Sequence, residues 1–262
     1  MAEEQKTDEI KQVPLDIIMA THNHWQLTVN CLDALYRNTN PPFNLTVVDD
    51  SAEPNDLTMT ILEWFKKEKG SINIIHSEVP YTHCNQIINI GLQNTQSPIV
   101  CYIGNNVRVE PNWLDDAISM MVGSDKIGIM GFKLLFPTGV IEHAGIVYQA
   151  GMPYHVNIGV GDAPSRHTQV KEVPAVGFAL VLFRREVFPQ GLDTTTYLGW
   201  RGFDDIDACL DAGQRGWKVV YCGVGSAYHE AGRTSRENPN YGRETEINRQ
   251  TFVRKWGGKA GQ

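Results

Sequence analysis

The sequence predicts an α/β fold built on a doubly wound, mostly parallel sheet with helices on both faces. Three observations carry that expectation. The first hundred residues alternate short apolar runs with amphipathic segments in a βαβαβαβ rhythm. Three polar clusters, Thr21-His22-Asn23, Asp49-Asp50-Ser51 and Gly104-Asn105-Asn106, close three of the apolar runs. In such sheets ligands bind beyond the carboxyl ends of the strands, so these clusters are expected to converge. The second half holds two more apolar runs, 127–136 and 173–183, which read as buried strands. The Gly/His-rich stretch between them reads as hairpins and loops, a small additional β element.

Taken in order, LDIIMA (15–20) is a strand and Trp25 to Arg37 an amphipathic helix. LTVVDD (45–50) is a strand, and Leu57 to Lys67 a helix with Leu57, Ile61, Leu62 and Phe65 on one stripe. INIIHS (72–77) is a strand, Cys84 to Leu92 a helix and SPIVCYIG (97–104) a strand. Further on, Asp204 to Gly216 is a short helix, KVVYCG (218–223) the last strand and Glu244 to Lys255 a terminal helix. The pattern fits one domain over 14–256, with a nucleotide-binding half (14–112) and a second half (113–256) that completes a cleft. The polar ends, 1–13 and 257–262, are expected to be flexible.

Composition narrows the function classes. With 262 residues, 42% hydrophobic and 20% charged, the chain can bury one sizeable core. A net charge of −7 provides no overall basic field for nucleic acid or an anionic membrane, although local peripheral contact stays open. No apolar run approaches the ~20 residues that cross a bilayer. The opening MAEEQKTDEIKQ is too polar for a signal peptide, so a cytoplasmic location is expected. Five scattered cysteines without a CxxC pair read as buried free thiols in a reducing compartment.

The chemistry-bearing residues fall in three places. Asp49 and Asp50 at a strand end suit hydrogen bonds to a base or ribose, and equally suit a local turn. Asp204, Asp205 and Asp207 crowd a helix start, where the helix dipole favours carboxylates. Capping accounts for one of them; a solvated acidic cluster or a general base accounts for the others. Ile206, Cys209 and Leu210 form the apolar face, which sends Asp205 and Asp207 in different directions. His229 sits in a polar, Gly-containing loop after the last strand, with Arg233 and Arg236 behind it. Such a histidine is either a structural hydrogen-bonder or a group that holds a metal or diphosphate.

In order and spacing these segments resemble the GT-A-fold glycosyltransferases of family 2, from about Leu15 to Ser235. IIMATHNHWQLTVNCLDAL resembles the family's opening strand, turn and helix, and VVDDSAEP its nucleotide-contacting turn. NIGLQNTQSPIVCYIGNNVRVEPNWL resembles the strand and metal-binding turn followed by Pro-x-Trp-Leu. FKLLFPTGVIEHAGIV resembles a stretch of polysaccharide and O-antigen transferases, and GFDDIDACLDAGQRGWKVVY the acceptor-side helix and strand. The resemblance implies inverting transfer from a nucleotide-sugar, with a UDP-sugar favoured, to a hydroxyl of a glycan or lipid-linked saccharide. It implies Asp205 as the base that deprotonates the acceptor. Thr21, Asp49, Asp50, Asn105 and Arg233 would hold the donor. A divalent cation, Mn or Mg, would be held with help from His229.

One departure stands out. The resemblance puts Gly104-Asn105-Asn106 on the family's Asp-x-Asp-type turn, with Asn106 in place of the terminal Asp. Hard cations prefer anionic oxygen, and Asn offers only a neutral carbonyl. Three readings stay open. An ion binds weakly through Asn106, His229 and donor phosphates; or Arg108, Arg233 or Arg236 neutralises the diphosphate without metal; or the protein binds nucleotide-sugar without turnover. A nucleotidyltransferase is a further alternative, disfavoured because MATHNHWQ lacks a Gly-rich phosphate loop with Lys. Segment 143–167 and residues 200–203 either shape the acceptor pocket or pack as ordinary loops.

Overall fold

A computed structural model describes residues 13–149, 151–161, 167–199, 202–232 and 239–257. The arm and tail expected at the ends fall, except for Val13 and Gly257, outside the described residues, as do Trp200, Arg201, Arg233 and Arg236. In the first half β1 (Leu15–Thr21) leads through α1 (Trp25–Asn38) to β2 (Asn44–Asp49). From there α2 (Thr58–Lys69), β3 (Ile72–His76), α3 (Cys84–Gln93) and β4 (Ile99–Gly104) complete the alternation. The second half runs through β5 (Val107–Val109), α4 (Asp115–Val122), β6 (Ile127–Leu135) and β7 (Ile141–His143). Then come β8 (Ile146–Gln149), β9 (Met152–His155), β10 (Val170–Glu172), β11 (Leu180–Arg184), α5 (Asp204–Gln214), β12 (Lys218–His229) and α6 (Tyr241–Trp256).

The order across the main sheet is β10-β12-β6-β11-β4-β1-β2-β3, with β5 added to β12 and β7 to β6. β3, β2, β1 and β4 are parallel, as the alternating first half requires. β11 enters antiparallel between β4 and β6, and β12 runs parallel to β6. β8 and β9 form a separate hairpin.

Every residue of β1 is buried, as befits a parallel strand covered on both sides. Its alternation feeds two cores. Ile17 and Met19 join Leu32, Leu62 and Trp113 on the α1, α2 and α4 side; Ile18 and Ala20 join Ile88, Cys209 and Phe252 on the α3, α5 and α6 side. All five cysteines are free thiols, four of them buried. Among the described residues no helix is long and apolar enough to cross a membrane.

Two expectations need correction. The apolar run 173–183 is a strand only from Leu180, because the residues before it pair elsewhere: Ile146 N–H donates to the Ala175 carbonyl at 3.0 Å. The last strand does not stop at Gly223 but continues to His229 through a bulge between Cys222 and Ser226. Glycine permits this, since a Cβ at Gly223 would strike the His167 carbonyl and one at Gly225 the Trp113 carbonyl. His229 is therefore a strand residue opposite Val107, not part of a following loop.

Candidate active site

The parallel strands β1, β2 and β4 end side by side, and their polar clusters meet there. Thr21 is the register partner of Asp49, and its hydroxyl donates to Asp49 Oδ1 at 2.6 Å. Ser51 Oγ donates to the same oxygen at 2.7 Å, and His76 Nδ1 lies 2.7 Å from Oδ2. Asp50 is engaged in the same way, with His22 Nδ1 at 2.9 Å and the Tyr81 N–H at 2.6 Å. Both carboxylates have 0% exposure. The side chains that look outward from this cluster are the imidazoles of His22 and His76. The Asp50 hydrogen bond, set against burial, raises the pKa of His22.

Asn23, in the left-handed region at φ 50°, tightens the junction by accepting the Ala52 and Glu53 N–H groups at 3.1 and 3.2 Å. Asn105 latches the neighbouring turn: its N–H donates to the Ala20 carbonyl at 3.0 Å and its side chain to Thr28 Oγ1 at 3.1 Å. Asn106 faces β12. Its carbonyl accepts the Glu230 N–H at 2.9 Å and its Nδ2 donates to the Glu230 carbonyl at 3.3 Å.

A cavity of about 1070 Å³ opens in front of these strand ends. Thr21, Asn105, Asn106, Asp205 and His229 all line it, so the structure brings five predicted residues into one space. Asp49 and Asp50 do not line it; they stand behind Thr21 and His22. Arg108 does not line it either, and its guanidinium stacks 4.9 Å from the Tyr228 ring. Arg233 lies outside the described residues.

The start of α5 supplies another part of the lining. Phe203, at φ 78°, turns the chain so that Asp204 and Asp205 reach the cavity. Asp205 Oδ1 accepts the Ile206 N–H at 2.8 Å and Oδ2 the Phe178 N–H at 3.4 Å. Dense packing and the nearby Asp204 carboxylate push the Asp205 pKa well above the ordinary carboxylate range. Asp204 moves the same way, mainly through burial. Asp207 points away and is 5% exposed among Tyr197, Lys255 and Trp256.

Three further residues, Glu142, His143 and His155, belong to the site. Glu142 on β7 meets His229 Nδ1 with both oxygens, at 2.9 and 2.8 Å. His143 Nδ1 lies 3.2 Å from His155 Nδ1, and both line the cavity. The latter pair comes from the His-rich segment expected to shape the acceptor pocket. Only the pairing of β7 through β6 to β12 reveals Glu142. Burial drives His143 down to about 3, with His155 and His229 adding to the effect, so its imidazole is neutral.

Comparison with known proteins agrees with this fold. Residues 16–140 match the family model described as Glycosyl transferase family 2. The O-antigen biosynthesis protein RfbC of Myxococcus xanthus is 26% identical over 222 residues, 79% of this chain and 16% of that protein. A crystal structure of GalNAc-T7 with UDP, GalNAc and Mn2+ superposes with a TM-score of 0.67 at 16% identity. It covers 83% of this chain, which in turn spans 44% of that one. The mannosyltransferase PcManGT from Pyrobaculum calidifontis, in complex with GDP-Man and Mn2+, superposes at 0.60 with 14% identity. There the coverage is 88% of this chain and 64% of that one. The chain thus spans less than two thirds of each of these relatives. The chain has the GT-A fold, and its residues 16–140 are similar to glycosyl transferase family 2.

Proposed function

We propose that the protein is an inverting glycosyltransferase that moves a sugar from a nucleotide-sugar to a hydroxyl of a glycan or lipid-linked saccharide. The observation that carries this reading is that Asp205 lines the same cavity as Thr21, Asn106 and His229. In-line displacement needs a base and a diphosphate-binding end that share one space with the reacting sugar, and this cavity holds candidates for both. UDP and GDP-Man in the related structures support a nucleotide donor, and family resemblance favours a UDP-sugar.

In this reading Asp205 takes the proton of the acceptor hydroxyl as that oxygen bonds to the anomeric carbon. The bond to the diphosphate breaks on the opposite face, and nucleoside diphosphate leaves with the electron pair. A carboxylate with a raised pKa suits the task, because proton uptake is then less uphill near neutral pH. Thr21 and His22 border the nucleotide, with Asp49 and Asp50 holding them from behind. Asn105 keeps the turn in place through Thr28.

Among the described residues no three His, Cys, Asp or Glu side chains are grouped to hold an ion. Asn106 and His229 offer one carbonyl oxygen and one imidazole nitrogen, so an ion held there would take its anionic oxygens from the donor phosphates. Asn106 Oδ1 and His229 are the groups that would hold it. When bound, such an ion offsets the charge that builds on the departing diphosphate.

The test is release of nucleoside diphosphate from a panel of UDP- and GDP-sugars with saccharide acceptors. Asp205→Asn is expected to abolish transfer and keep nucleotide binding. Full turnover in Asp205→Asn overturns the base assignment. The missing carboxylate at Asn106 favours a second reading, a nucleotide-sugar-binding protein without turnover, for which the wild type binds donor and releases nothing.

A further inference from the structure

Beyond the pairing already described, the His229–Glu142 contact has a defined chemical sense. A carboxylate within 2.8–2.9 Å of Nδ1 can only accept, so Nδ1 carries the proton. In the neutral imidazole the lone pair is then on Nε2. Among the described residues nothing hydrogen-bonds that Nε2, and His229 lines the cavity beside Asn106. The two side chains are 13% and 15% exposed, so the pair is shielded but not sealed off.

The arrangement suits an ion. A histidine that gives its Nδ1 proton to a carboxylate is held in one tautomer and becomes a more basic ligand at Nε2. The turn at 104–106 has lost its anionic oxygen, and here a negative charge returns one hydrogen bond further out. β7 supplies it, across β6 and β12 from the turn.

We propose that Glu142 is the positioning residue of a divalent-cation site at the diphosphate end of the cavity, acting through Nδ1 of His229 so that Nε2 is the ligand. This rests on the glycosyltransferase reading. Asn106 adds a neutral carbonyl, and the donor diphosphate completes the set. A merely structural role would tie β7 to β12 and leave cation affinity alone.

The experiment measures Mn²⁺ binding by the electron paramagnetic resonance signal of free Mn²⁺, with saturating UDP or GDP. Nucleotide binding in EDTA is measured in parallel by calorimetry. Glu142→Ala is expected to weaken Mn²⁺ about 10- to 100-fold, the range usual for such outer partners, and to leave nucleotide affinity in EDTA unchanged. Glu142→Gln, which keeps an acceptor for Nδ1–H but not the charge, is expected to lose less. His229→Ala should lose at least as much as Glu142→Ala. The double variant should lose no more than His229→Ala, because Glu142 acts through the histidine. The unfolding midpoint of each variant serves as the control for folding, and Glu142→Gln carries the test if the alanine variant does not fold.

Wild-type Mn²⁺ affinity in Glu142→Ala overturns the proposal, as do additive losses in the double variant. Equal nucleotide binding with Mn²⁺ and with EDTA in the wild type overturns it while sparing the glycosyltransferase reading. No binding of UDP or GDP under either condition brings down that reading as well.

Discussion

Trp256 Nε1–H donates to Asp207 Oδ1 at 2.6 Å, which fastens the end of α6 to the first turn of α5. The same carboxylate accepts the Tyr197 hydroxyl at 2.9 Å and faces the Lys255 ammonium at 2.8 Å. Asp205, two residues earlier, looks into the cavity instead. The helix period of 3.6 residues separates them, because positions i and i+2 project about 200° apart. One acidic run therefore does two jobs, and substitutions at its members should separate cleanly.

Asp207→Ala should destabilise the protein by about 3 kcal/mol, since buried donors left without a partner cost about 1–3 kcal/mol each. Trp256 and Tyr197 are both 4% exposed, so water does not readily replace the lost acceptor. Urea denaturation measures the change. A loss below about 1 kcal/mol would mean that the α5–α6 junction rearranges to satisfy both groups.

Asp205→Asn should change how stability depends on pH. The folded pKa of Asp205 is raised by burial and by Asp204, so between the unfolded pKa and the folded one the native state binds more protons. Stability from this group is greatest at low pH and is lost as pH rises through that window. His155 faces the same carboxylate and works in the opposite sense. The asparagine variant lacks the loss, so its stability relative to wild type should improve from pH 5 to pH 8 in paired urea titrations. A relative stability that stays flat or falls would show that Asp205 is ionised without cost.

His143 predicts the opposite slope. Its folded pKa of about 3 lies below the ordinary histidine value, so on acidification the unfolded chain takes up a proton first. Its contribution is complete above about pH 6.5 and is lost as pH falls towards the folded value. His143→Asn, whose amide can still donate to His155, should blunt the loss of stability between pH 6.5 and pH 4. NMR titration of the imidazole gives the direct check: a His143 resonance that titrates near 6.5 in the folded protein refutes the assignment.

The parallel half of the fold was legible because β1, β2 and β4 are buried on both faces for nearly their whole length, and the helices between them on one. Residues 15–104 therefore carry unmixed periodicities. The convergence of Thr21, Asn105 and Asn106 followed from that topology alone. The rest was hidden for physical reasons. The Gly223–Gly225 bulge carries β12 on to His229, and nothing in the residues after Cys222 signals continued pairing with β6. Asp49 and Asp50 were expected as donor contacts, yet their oxygens are taken by Thr21, Ser51, His22 and His76, groups up to 28 residues away in sequence. Glu142 reaches His229 over 87 residues, and no local pattern could announce that meeting.

Restoring the carboxylate at the turn is the sharpest test of how the diphosphate charge is met. Asn106→Asp exchanges a neutral ligand for an anionic one, and hard cations respond strongly to ligand charge. It also gives up the 3.3 Å bond from Nδ2 to the Glu230 carbonyl, a long contact whose loss should cost less than about 1 kcal/mol. In Mn²⁺ the variant should bind UDP or GDP more tightly, on the order of tenfold, because the ion gains an anionic ligand. In EDTA the same variant should bind more weakly than wild type, because the new charge then faces the diphosphate unscreened. Opposite signs in the two conditions are the signature of an ion at this end of the cavity. If affinity falls equally in both, the diphosphate is neutralised without metal and Asn106 is an adaptation to that state.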